Sequence, residues 1–180
     1  MTEPIELKNY DSVAKLLHWS IVLLLAVQYA VAWTMPEIHR DMRAEGLISL
    51  HLSIGTVILL IMLLRLAWRL FHPIPLATEG FPVWQVRGAY IAHLSLYGLL
   101  IAMPALGWAN ANARGWDVTL FGVFGLPRLV EAHSSIGHLA GDIHTVLAYA
   151  ALGIIGLHIA GALYHHFRLG DGTLARMLPR

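Results

Sequence analysis

Four histidines mark the run from Asp142 to Arg168: His144, His158, His165 and His166. No Asp, Glu, Lys or Arg occurs between the two flanking charges, over residues 143–167. An imidazole can carry a proton, donate a hydrogen bond or bind a metal through either nitrogen. Inside an apolar helix such a group is costly without a partner, so each of these side chains needs a purpose. His158 follows His144 by 14 positions, and His165 follows seven later. At about 100° per residue, all three fall on nearly one face of a helix. The stripe presents imidazoles near one end, beyond the middle and near the other end.

The elements that carry this stripe follow from composition. Of 180 residues, 57% are hydrophobic and 13% charged, against roughly 25% charged in soluble proteins. The length allows a single domain. Cysteine is absent, which excludes disulfides, c-type haem attachment and Cys-ligated iron–sulfur clusters. The net charge of +1, with no basic cluster, gives no footing for nucleic acid. The sequence predicts an all-α membrane protein, a four-transmembrane-helix bundle. Its spans fall at about 16–36, 46–70, 87–110 and 142–167, each long enough for a hydrocarbon core of about 30 Å. Ala30-Val31-Ala32 resembles a signal-peptide cleavage site, but the leading segment is mixed in charge and the apolar run is long for an h-region, so a span is preferred. His72–Pro82 reads as a Pro-rich turn, and Pro127–Gly141 as a short surface helix. Lys8, Lys15, Arg65, Arg69, Arg87, Arg168, Arg176 and Arg180 flank one side, against Arg40, Arg43, Arg114 and Arg128 on the other. By the positive-inside rule both termini are cytoplasmic.

This topology assigns depths. His51 opens span two and His144 opens span four, both toward the outside. His18 opens span one on the inner side, and His158 lies about 21 Å along span four from His144. Two levels result, with His51 facing His144 and His18 facing His158. Zinc and di-iron sites require more ligands, with thiolate or carboxylate help that the spans lack. A haem brings four equatorial nitrogens and needs two axial ligands. Two bis-histidine haems b therefore use all four residues. His93 opens span three on the inner side and competes with His18. Its other readings are a propionate contact and a headgroup-boundary residue. His165 reads either as a hydrogen-bonding or proton-relaying contact for a quinone, or as an interfacial side chain snorkelling out of the bilayer. His166 has the same two readings with less support. His39, His72, His133 and His138 read as solvated. Gly55, Gly137 and Gly141 serve either ring approach or helix packing. Arg65, Arg69 and Arg168 anchor span ends, and one of them is a candidate for a propionate. Trp19, Trp33, Trp108 and Trp116 fit an interfacial aromatic belt.

The segments LLHW (Leu16–Trp19), HLSIGTVILLIMLLRLAWR (His51–Arg69), HTVLAYAALGIIGLHIAGALYHH (His144–His166) and DGTLARMLPR (Asp171–Arg180) resemble the bacterial cytochrome b561 family. The resemblance covers nearly the whole chain. It implies a bacterial inner-membrane bundle with two b haems, ligated by His18 with His158 and His51 with His144. It looks most like those members that take electrons from periplasmic superoxide and deliver them to ubiquinone, with the quinone near His165. Asn110–Gly141 is the least matched stretch. Arg114 and Arg128 are then candidates to attract the anion, opposed by Asp117 and Glu131. Two other readings remain. One is a cytochrome b subunit passing electrons between a periplasmic dehydrogenase or hydrogenase partner and the quinone pool. The other is a haem-free proton or metal transporter that uses the stripe as a relay.

Overall fold

Asp11 starts the first helix. Its Oδ1 accepts from the Ala14 amide at 2.8 Å, capping α1 (Ser12–Thr34). Its Oδ2 accepts from the Trp68 indole at 3.2 Å, tying that start to the end of α2 (Gly46–Phe71). Desolvation pushes the Asp11 carboxyl up, but the Ala14 and Trp68 bonds outweigh it and hold the group below its ordinary value. Pro36 ends α1 because the residue before a proline is driven out of helical geometry, and Met35 sits at ψ 152. The third helix, α3, runs Val83–Ala113, and α4 runs Ser135–Tyr164. This computed structural model describes residues 9–39, 42–72 and 81–179. Residues 73–80 of the expected Pro-rich turn lie outside them, as do Lys8, Arg40 and Arg180 of the charge tally.

Among the described residues, four helices are long and apolar enough to cross a membrane. Two two-residue strands, β1 (Thr119–Leu120) and β2 (Phe124–Gly125), pair antiparallel with Thr119 opposite Gly125. The expected surface helix over Pro127–Gly141 is not a separate element. Ser134 caps α4, accepting from the Gly137 amide at 3.5 Å, so residues 135–141 form its first turns.

The hairpin seals one end of the bundle. Ser53 is 1% exposed. Its hydroxyl lies 2.9 Å from Ser49 O and 3.1 Å from Thr119 O, both acceptors, and accepts from the Phe121 amide at 3.0 Å. Asn112, fully buried, donates to Trp116 O and accepts from the Leu129 amide. The Trp116 indole donates to Met42 O at 2.8 Å. At the opposite end the Trp19 indole donates to Met177 O at 2.8 Å. Two of the four expected belt tryptophans thus bind loop backbone. The start of α1, the end of α2 and the tail after α4 meet at this second end.

Between the ends, Ile21, Leu25, Val31, Ile54, Ile58, Met62, Leu100 and Met103 form one buried apolar cluster. It packs α1 on α2 and α2 on α3, while α3 also packs along α4. Among the described residues no Cα of α4 approaches α1 or α2 within 8 Å. Helices in direct contact lie about 8–10 Å apart axis to axis, so α4 stands off across space bridged by side chains. Tyr29 is one bridge, donating to Ala148 O at 2.7 Å.

Candidate functional site

The imidazoles span that gap. The His51 and His144 ring centroids lie 6.2 Å apart with an interplanar angle of 75°. The His18 and His158 centroids lie 6.4 Å apart at 73°. Metal–imidazole bonds of about 2.0–2.1 Å, plus roughly 1.1 Å from each ring centre to its nitrogen, put two trans imidazoles about 6.3 Å apart, centroid to centroid. Both pairs have that separation. His93 lies 5.2 Å from His158, too close to stand across one metal from it. No cluster of three or more His, Cys, Asp or Glu side chains suited to a metal occurs among the described residues. Each couple offers two ligands, so the rest of a coordination sphere would have to come with a cofactor.

The structure also orients the rings. His144 Nδ1 lies 2.7 Å from Met103 O. A carbonyl oxygen only accepts, so Nδ1 carries the proton and Nε2 keeps its lone pair for a metal. This approach depends on Gly107, where a Cβ would fall 3.0 Å from His144 Cε1 and Nδ1. Gln28, 8% exposed, donates to His51 O at 3.0 Å. Its Oε1 and His51 Nδ1 are buried without a hydrogen-bond partner among the described residues. At the other level Arg65 Nε donates to Tyr97 Oη at 3.1 Å, while its buried Nη1 has no acceptor there. A guanidinium N–H left open beside an imidazole pair suits a carboxylate. These features fit a haem: two imidazole couples that could each hold one, a set tautomer at His144 and a free donor for an acidic substituent.

Several expectations change. A Cβ added at Gly137 would collide with the Ala113 Cβ, and one added at Gly141 would fall 2.5 Å from the Asn110 side chain, so both serve helix packing. Gly55 lies against Gln28. The glycine that meets an imidazole is Gly107, which sequence reasoning missed. Its signal was weak: a lone glycine three residues after Pro104. Arg128 is paired with Asp117 at 2.8 Å on the surface, the opposition that the sequence anticipated, and Arg114 lies 5.7 Å from the Trp116 ring centre. His133, His138, His166, His39 and His72 are exposed. His72 also stacks on Trp68 with centroids 4.0 Å apart. His165 is partly buried and its Nδ1 contacts Asp171 Oδ2.

A model of the prokaryotic cytochrome b561 family matches residues 9–180. The chain belongs to that family. A probable superoxide oxidase CybB from Yersinia pestis is 30% identical over 177 residues, covering 96% of this chain and 97% of that protein. Cytochrome b561 homolog 2 of Escherichia coli (strain K12) is 28% identical over 96% of this chain and 93% of its own. Cytochrome b561 homolog 1 of the same strain is 30% identical over 91% and 93%. Membership in the b561 family makes the chain a multi-pass membrane electron-transfer protein of a haem b-binding family, with oxidoreductase-type chemistry.

Proposed function

We propose that this b561 protein binds two haems b and carries electrons across a bacterial inner membrane, from superoxide at the His51–His144 end to ubiquinone beside His165. The observation that carries the reading is the two imidazole couples, at 6.2 and 6.4 Å, strung on one helix. His51 and His144 hold the outer haem, and His18 and His158 the inner one. Haem, when bound, supplies an iron centre that accepts and releases one electron at a time.

The chain does the rest. Met103 O holds the His144 proton on Nδ1 and so presents Nε2. Arg65 Nη1 offers a charge-assisted bond to a propionate. The apolar cluster between the levels keeps water out. His165 donates a hydrogen bond to a quinone carbonyl and supplies a proton to it. In balance, two superoxide anions and one quinone with two protons give two dioxygen molecules and one quinol. Each superoxide loses one electron, and the quinone gains two electrons and two protons. The donor assignment is supported by likeness to a protein named a probable superoxide oxidase. The Lys and Arg bias supports cytoplasmic termini, which makes the hairpin end periplasmic.

The test is rapid mixing of purified protein with superoxide while the haem bands are followed. The expected result is haem reduction at micromolar superoxide, then reoxidation by a short-chain ubiquinone. Haem present but unreduced well below millimolar superoxide would overturn the donor and move it to a periplasmic protein partner. A chain purified without any Soret band would overturn the reading as a whole.

A further inference from the structure

At the tail end, α4 does not simply stop. From His165 to Leu169 it widens into a π turn, and Gly170 at φ 63 and Gly172 at φ 73 then reverse the chain. These left-handed positions suit glycine. The reversal returns Asp171 to His165. Its Oδ2 meets His165 Nδ1, and its Oδ1 accepts from the Thr173 amide at 2.9 Å. The two side chains are 21% and 15% exposed. Rings of Phe81 and Tyr164 flank His165 at 5.6 and 6.2 Å. The tail is held independently, through Trp19 on Met177 O and Arg176 over the Tyr10 ring at 5.5 Å. The Trp19 ring in turn lies 5.5 Å from that of His18. The tail that follows the turn thus reaches the helix that carries His18.

We propose that Asp171 and His165 form a proton-holding dyad for the quinone, in which Asp171 is the positioning residue. This rests on the reading that the quinone lies beside His165. A carboxylate only accepts hydrogen bonds, so the nitrogen facing it, Nδ1, carries a proton and Nε2 is the one left for a ligand. A quinone carbonyl also only accepts, so Nε2 must carry a proton to bind it. Both conditions hold together in the imidazolium, whose charge the carboxylate balances. A part-buried carboxylate costs free energy unless it is paired. Among the described residues, the groups found against His165 are Asp171, Phe81 and Tyr164, and Asp171 is the only carboxylate. His166 and Arg168 lie on the same turn and are exposed. Desolvation raises the Asp171 carboxyl, but its bonds from Thr173 and His165 prevail and keep it below the usual value. In the step, two electrons arriving through the protein enter the quinone. Nε2 gives one proton to the carbonyl oxygen it binds, a proton from solvent at the tail end restores Nε2, and a second solvent proton on the other oxygen completes the quinol.

The experiment reoxidises prereduced, haem-loaded protein with a short-chain ubiquinone across a pH series. Asp171→Asn should slow reoxidation on the order of 100-fold, the range of a positioned acid. Its rate should also decline at lower pH than in the wild type. Haem content and reduction by the donor should not change, and Asp171→Glu should return the rate to within about tenfold. A wild-type rate and pH profile in Asp171→Asn would overturn the dyad. If His165→Ala slows reoxidation while Asp171→Asn does not, the dyad fails and the quinone site stands. If both are silent, the site itself is misplaced and the dyad falls with it. Should Asp171→Asn not accumulate, Asp171→Ser is read in its place: a slowed rate with a displaced profile supports the dyad and a wild-type rate and profile overturn it.

Discussion

Replacing Gly107 with alanine perturbs the His51–His144 pair without replacing either histidine. The new Cβ falls 3.0 Å from His144 Cε1 and Nδ1 and 3.8 Å from Cγ. Carbon prefers such neighbours at about 3.5 Å or more, so the ring must retreat by roughly 0.5 Å. That retreat lengthens the 2.7 Å bond to Met103 O to about 3.2 Å, the outer limit of a good N–H···O bond. Losing the partner that orients a ligating histidine typically costs 10- to 100-fold in metal affinity, or about 1.4–2.8 kcal/mol. The assay is haem transfer to an excess of a haem-scavenging protein, with each haem followed in difference spectra. The expected result is that Gly107→Ala weakens one haem by that factor and leaves the other. Gly98→Ala is the control, because a Cβ there meets nothing within 4 Å on the same helix. If Gly107→Ala keeps both haems as firmly as Gly98→Ala does, the Met103 bond does not support the site and the reasoning fails.

Other perturbations address the remaining contacts. His51→Ala and His144→Ala should each lose the same haem, and His18→Ala and His158→Ala the other, while His93→Ala keeps two; haem quantified per chain checks this, and loss of one haem in His93→Ala would reassign the inner pair. Ser53→Ala strands the Phe121 amide and removes the contact to Thr119 O, so thermal unfolding in detergent should show a loss of about 1–3 kcal/mol. Asp11→Ala removes a helix cap and the Trp68 bond, with an expected cost of about 1 kcal/mol. Because the folded-state pKa of Asp11 is depressed, its contribution is full above the ordinary carboxylate value of 3.8 and is lost as pH falls through the lower folded value; a pH-independent difference between Asp11→Ala and wild type down to strongly acidic pH would contradict this. Arg128→Ala breaks only an exposed pair with Asp117, so superoxide-driven haem reduction should change by less than about threefold.

Much of this protein is legible along the chain because the signals are local. Long uncharged runs announce helices that cross a bilayer, since every backbone polar group must bond within its own segment there. The spacing of His144, His158 and His165 on one face follows from helix periodicity alone. With the direction of each span, it also led to the two cross-helix couples whose rings stand 6.2 and 6.4 Å apart. The start of α4 was less legible, because Ser134 caps it before the apolar run begins.

What only the folded molecule decided are contacts between residues far apart in sequence. His18 and His93 both open spans at one end; the resemblance around Leu16–Trp19 favoured His18, and the fold adds the ring separations from His158, 6.4 Å for His18 and 5.2 Å for His93. Gly107 is an ordinary small residue until α4 presses His144 against it. Asp117 reads only as a nearby charge that weakens the field of Arg128 until the hairpin loop sets the two in a direct pair. Asp171 reads as part of a polar tail until two left-handed glycines turn it onto His165. Periodicity records which face a side chain occupies on its own helix. The partner across the gap depends on how helices pack and where the chain reverses, and a run of residues does not carry that information.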